Sequence, residues 1–268
     1  MDDRVEVRKT YKLFIGGEFS RSESGRSYHA DGVWAARASR KDLRDAVRSA
    51  RGALDGWSGR TAYNRGQILY RVAEVMEGRR AQFAEEGADD GEIDAAVDRW
   101  VWYAGWADKI HQVAGTVNPV AGPFFDFTLP EPVGVVGVAA PEEPALLGLV
   151  SRLAPVLTGG NVAVVLASEV APRSAITLAE VLATSDLPGG VVAILTGYKA
   201  ELLPWLAGHR DVDALDVSGA PPSLVADLDE AAADNVKRVV HPRDPVGESP
   251  YDVTAFLEMK TVWHPVGR

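Results

Sequence analysis

The sequence contains no cysteine. That excludes a disulfide framework, a thiolate metal site and a cysteine nucleophile within these residues. Long apolar runs are also missing. None approaches the roughly 20 residues that cross a bilayer as a helix, so no membrane partner is expected. The opening MDDRVEVRKT has no apolar stretch of the kind that marks a secretory leader, which points to a cytoplasmic protein. Positive charge is scarce: 28 Lys and Arg stand against 38 Asp and Glu, a net charge of −10. The basic residues are interleaved with acids, as in SRKDLRDAVRSAR, and form no stripe, so no nucleic acid is expected either. The five histidines, His29, His111, His209, His241 and His264, are too far apart in sequence for any pair to show metal-ligand spacing.

What is present is an ordinary globular composition. Of 268 residues, 46% are hydrophobic and 25% charged, enough for one large domain or two small ones. YKLFIGGEF (11–19) reads as a hairpin turning at Gly16-Gly17. Ser39 caps a helix whose apolar positions Leu43, Ala46, Val47, Ala50 and Leu54 recur at helical spacing, with Trp57 in the turn beyond. Further helices are predicted over 62–86 and 92–113, the second carrying Trp100, Trp102, Tyr103 and Trp106 on too broad an arc for one buried face. TVNPVAGPFFDFTLPEP (116–132) fits two extended strands. From Val133 the pattern becomes strand–helix alternation. VGVVGVAA, NVAVVLA, GVVAILTG and VDALDVSG are strands, separated by ALLGLVSRLAPVL, PRSAITLAEVLATS and AELLPWLAG as helices. Short β–α–β links imply a parallel sheet with right-handed crossovers. A helix over 223–238, a loop HPRDPVGESP and a strand TAFLEMKTVW (254–263) complete the chain.

This order of segments resembles the aldehyde dehydrogenase superfamily. FIGGEF is similar to that family's N-terminal hairpin, and EPVGVVGVAAPEEPALLGLVSRLAPVLTGGNVAVVLASEVAP to its first cofactor-domain β–α–β unit. DLPGGVVAILTG and HRDVDALDVSG resemble the next units, and FLEMKTVWHP resembles the last strand. Gly160-Asn161, Glu169 and Pro172 stand at the family's spacing. The resemblance implies an α/β fold: an open, doubly wound, Rossmann-like parallel sheet with N-terminal helices and a small β oligomerisation element. It divides the chain into a hairpin and helical part (1–115), oligomerisation strands (116–132), an α/β core (133–240) and a C-terminal oligomerisation strand (241–268). It also implies that the catalytic domain, with its nucleophilic cysteine and general-base glutamate, is missing between the fourth core strand and the last one.

The surviving site positions depart from the family pattern. Glu143 falls where the family places an oxyanion-stabilising asparagine, and a carboxylate there would repel a developing negative oxygen. Leu166 replaces the lysine that reaches the adenosine ribose, although Glu169 of that pair is kept. The phosphate turn reads Gly219-Ala220-Pro221-Pro222-Ser223-Leu224, with two prolines lacking N–H donors and a leucine in place of the second glycine. Asn161, Glu169, Gly197, Ser218 and Gly219 are expected to border a degenerate dinucleotide crevice, with no cofactor bound beyond residual NAD or NADP. Three functions compete. One is an inactive subunit of a hetero-oligomer with a full-length aldehyde dehydrogenase, since the family's oligomerisation strands extend a sheet of a neighbour's catalytic domain. The second is a lyase or isomerase using Glu142 or Glu143. The third is a small-molecule or dinucleotide-binding module.

Overall fold

A computed structural model describes residue 5 and residues 7–267. The opening segment read above as lacking a leader lies in part outside the described residues.

The chain begins with β1 (Leu13–Ile15) and β2 (Glu18–Ser20), joined through Gly16 and Gly17 at φ 67° and 87°, where a side chain would be strained. A second hairpin follows, β3 (Ser27–Ala30) and β4 (Val33–Ala36). Its turn is Asp31-Gly32 with both φ positive, at 52° and 72°. Asp-Gly is a strong two-residue hairpin signal, and the sequence reading passed over it. Helix α1 (Arg40–Ser58) opens on a capping box between Ser39 and Asp42. Trp57 belongs to its last turn rather than a loop; the ring is fully buried and Nε1 donates to the Leu157 carbonyl at 3.2 Å.

The two long helices expected next are each broken. α2 (Ala62–Gly78) and α3 (Arg80–Glu85) part at Arg79, and α4 (Asp90–Trp106) and α5 (Ile110–Ala114) part after Ala107. Trp100 and Tyr103 are fully buried while Trp102 and Trp106 are half-buried, so α4 does pack on more than one side. β5 (Thr116–Asn118) and β6 (Phe124–Pro132) precede the alternating region. There β7 (Val135–Ala139), α6 (Ala145–Thr158), β8 (Val162–Leu166), α7 (Pro172–Ala183), β9 (Val192–Leu195), α8 (Lys199–Gly208) and β10 (Ala214–Asp216) follow the predicted order. The single helix expected over 223–238 is a 3-10 turn (Pro222–Leu224), α9 (Val225–Ala233) and a further strand β11 (Arg238–Val240). α10 (Pro250–Thr254) then leads into β12 (Leu257–Pro265).

The main sheet runs β11-β10-β7-β8-β9-β1-β2. Its five core strands are parallel, and the β1–β2 hairpin adds an antiparallel edge through Phe14 opposite Ile194. The fold is thus α/β with a mixed sheet. α6 and α7 cover one face with α2 and α4 behind them; α1, α8 and α9 cover the other. Strand order reverses between β7 and β10, which opens a crevice at the carboxyl ends of the strands. A separate sheet, β12-β6-β5, is formed by the tail and segment 116–132. β12 pairs with β6 from Leu257 opposite Pro132 to Pro265 opposite Phe124.

Candidate functional site

Carboxyl ends of β7 to β10 carry most of the residues singled out by sequence. Gly219 N donates to the Ala139 carbonyl at 2.9 Å, and a Cβ at this position would lie 1.9 Å from the Ala140 oxygen, so only glycine fits. Ser218 Oγ donates to the same Ala139 carbonyl at 3.2 Å. Gly197 holds φ 139° against the backbone of Ala38. Leu166 closes the end of β8 and is buried.

Asn161 is a correction. It precedes β8 and therefore lies at the amino end of the strand, away from the crevice. It is fully buried, accepts from Gly134 N at 2.9 Å, and donates to the carbonyls of Phe256 at 3.0 Å and Val156 at 3.3 Å. Its amide joins the entry to β7, α6 and the tail, and being fully buried there it meets no ligand in the crevice.

Glu142 and Glu143 precede α6, which begins only at Ala145, and they diverge. Glu142 turns into the crevice. Its Oε2 accepts from Ser168 Oγ at 2.9 Å and from Glu169 N at 2.8 Å, and Oε1 pairs with Lys199 Nζ. Lys199 is 1% exposed and donates also to the Ala140 carbonyl at 2.6 Å. Sequence reasoning missed this lysine. Its signal was a lone cation two residues after Gly197, where a helix begins. Glu169, the retained acid, accepts the Lys199 backbone N–H at 2.7 Å. Burial and then the Glu169 carboxylate push the nearby Tyr28 phenol up. Glu143 instead lines a hollow of 550 Å³ with Asp31, Glu86 and Glu92, so the two glutamates form no acid–base pair. Glu92, on α4, reaches α6 and accepts from Leu146 N at 2.8 Å and Leu147 N at 3.0 Å.

These contacts share one theme. The N-terminus of a helix offers free N–H groups and positive potential, and this is what binds a pyrophosphate or an oxyanion in an α/β crevice. Here α6 is capped by Glu92, the lead-in to α7 by Glu142 and the first turn of α8 by Glu169. The fourth entry, into the 3-10 turn, is Pro221-Pro222, which has no N–H to offer at either residue. Backbone donors at these turns are thus engaged within the chain or, at the two prolines, missing. Beneath the crevice, Arg152 and Asp216 form a fully buried pair at 2.8 Å, and Asp216 Oδ1 holds Ser218 N at 2.9 Å. Among the described residues no group of three or more His, Cys, Asp or Glu could hold a metal ion, and no helix is long and apolar enough to cross a membrane.

The comparisons with known proteins agree with this architecture. The model described as "Aldehyde dehydrogenase family" matches residues 30–242. Human retinal dehydrogenase 2 is 32% identical over 255 residues, covering 88% of this chain and 48% of the relative. The NAD+ complex of the Bacillus cereus aldehyde dehydrogenase superposes with a TM-score of 0.79 at 25% identity, over 86% of this chain and 50% of that one. The NAD-dependent aldehyde dehydrogenase from Sinorhizobium meliloti gives 0.78 at 27% identity, over 89% and 51%. The chain spans about half the length of these relatives. It belongs to the aldehyde dehydrogenase family.

Proposed function

We propose that this chain is a catalytically silent aldehyde dehydrogenase-like subunit that assembles with a full-length aldehyde dehydrogenase in the cytoplasm. The observation that carries the reading is at the crevice turns: Glu142 accepts from the backbone entering α7 and pairs with the buried Lys199, Glu92 accepts from the first N–H groups of α6, and Pro221-Pro222 leave the last turn without N–H donors. Two features support it. No residue of the chain can serve as a cysteine nucleophile. Glu142 is engaged by Lys199 and Ser168, which suits an anchor better than a proton-transfer group.

The assembly part of the reading rests on the second sheet. Val117, Phe125 and Leu129 stand exposed on one face, and Phe124, Met259 and Trp263 on the other. β12 is a nine-residue edge strand with an unpaired ladder. Such an edge recruits a strand from another chain. In this proposal a full-length subunit supplies that strand, and this chain contributes structure or regulation to the assembly.

The test is co-expression of the tagged chain with a full-length aldehyde dehydrogenase of the same organism. The pair should co-purify, and a chain ending at Leu257 should not. The truncation must begin at Glu258, because Val253, Phe256 and Leu257 belong to the core and the Phe256 carbonyl holds Asn161. A cut at residue 254 would remove the core side chains Phe256 and Leu257 and damage the fold. The isolated chain should reduce neither NAD nor NADP with aldehydes. Turnover by the isolated chain would overturn the proposal.

A further inference from the structure

A groove of 860 Å³ lies between α1 and α8, outside the crevice and on the opposite side of α8 from α9. Its lining is unusual for a chain of net charge −10. Arg40, Lys41, Arg44 and Arg210 face it, with Glu23 as the acid among them. Glu23 is engaged by Ser39 Oγ at 3.1 Å and Lys41 Nζ at 3.2 Å, and Arg44 bonds Asp45 at 2.9 Å. Arg40 makes no hydrogen bond or ion pair among the described residues. Its guanidinium is stacked on the Trp205 ring, 3.7 Å from the centroid. Arg210 likewise has no hydrogen-bond or ion-pair partner among the described residues, and the Trp205 ring is 46% exposed.

The geometry points to a binding site for a planar aromatic anion of mononucleotide size. Three independent features specify that class. The volume lies within the roughly 300–1,000 Å³ typical of small-ligand sites, and is too small for a folded partner. The Arg40–Trp205 pair presents a flat, polarised platform on which a heterocyclic ring stacks, and neither member is consumed by other contacts. Arg210 lines the groove without a partner of its own among the described residues, and a guanidinium is suited to bidentate capture of an attached phosphate or carboxylate. A polymeric nucleic acid would need the basic surface to continue along the chain, whereas the overall charge is acidic. The site shares no residue with the crevice, so a silent aldehyde dehydrogenase-like core could sense a nucleotide there without turning it over.

The test is calorimetric titration with AMP, adenosine and inorganic phosphate, each as a separate probe. AMP should bind saturably, and adenosine and phosphate should each bind at least about ten-fold more weakly, since each lacks one of the two recognition elements. Trp205→Ala should weaken AMP by about ten-fold through the lost platform, and Arg210→Glu should do the same through charge reversal. Both residues are exposed, so circular dichroism and the urea midpoint should be unchanged. Raising salt should weaken AMP and phosphate but not adenosine. Equal binding of AMP and phosphate would show a charge-only patch and overturn the aromatic assignment. AMP binding unaffected by both substitutions would place it elsewhere, and no saturable AMP binding would remove the site altogether.

Discussion

Glu142→Ala tests the internal occupation of the crevice most directly. The carboxylate holds Ser168 Oγ, Glu169 N and the Lys199 ammonium. Once it is gone, the two lighter contacts can be replaced by water at the rim. The ammonium cannot be so easily rehydrated, because Lys199 is 1% exposed and keeps only the Ala140 carbonyl at 2.6 Å. Breaking a fully buried pair from one side costs about 3–5 kcal/mol. The Glu142 side chain is 40% exposed, so part of its hydration is retained in the folded state and the pair is worth less. The expected loss is about 2–3 kcal/mol. Lys199→Met gives the contrasting arm. It keeps the apolar stem, removes the buried charge and leaves Glu142 its other donors, so its cost should stay below about 1 kcal/mol. Urea unfolding followed by tryptophan fluorescence measures both, with the m-value expected to be unchanged. The reasoning fails if Glu142→Ala lies within about 0.5 kcal/mol of the parent, or if Lys199→Met is the more damaging of the two.

Three further outcomes are expected. Asp216→Ala should destabilise by about 2–4 kcal/mol because the fully buried Arg152 then keeps only Asp252, at 3.2 Å, as a charge partner, whereas the double change Asp216→Leu with Arg152→Met should recover most of that loss in the same urea assay. Gly219→Ala should lower stability by about 1–3 kcal/mol or more, since its Cβ would collide with the Ala140 oxygen; a thermal midpoint equal to the parent would contradict the turn described. Burial pulls the Lys237 ammonium down to about 8, with Asp213 opposing and Arg51 assisting. The folded-state value lies below the unfolded one, so the unfolded chain binds more protons between about pH 8 and pH 10.4, and stability should rise with pH across that window by up to about 3 kcal/mol, each pKa unit being worth about 1.4 kcal/mol. Lys237→Met should flatten the rise in pH-dependent denaturation curves, and an unchanged slope would count against the assignment.

Local physics made much of the fold legible before any coordinates. Gly16-Gly17 requires a turn, Ser39 is a strong cap, and VGVVGVAA and NVAVVLA have the unbroken apolar pattern of strands buried on both faces, so the alternating core followed directly from residue type and spacing. The tail's placement beside segment 116–132 was also legible, because both are β-prone and neither can form a sheet alone. The breaks at Arg79 and after Ala107 were not, since a helical period continues across them and only the packing of neighbouring helices decides where the axis turns. β11 was absorbed into a helix because three residues carry too little pattern of their own, and its strand state comes from pairing with β10. The site shows the same division. That Leu166 brings no cation to the end of β8, and that Pro221 and Pro222 offer no N–H in the turn after β10, was readable in one dimension. That Glu92 and Glu169 accept from the first turns of helices far away in sequence, that Glu142 holds the loop before α7 and pairs with the buried Lys199, and that Asn161 faces the wrong end of its strand are consequences of where the chain brings distant carboxylates and amides together. A carboxylate's partner is set by three-dimensional proximity, and only the tertiary structure supplies it.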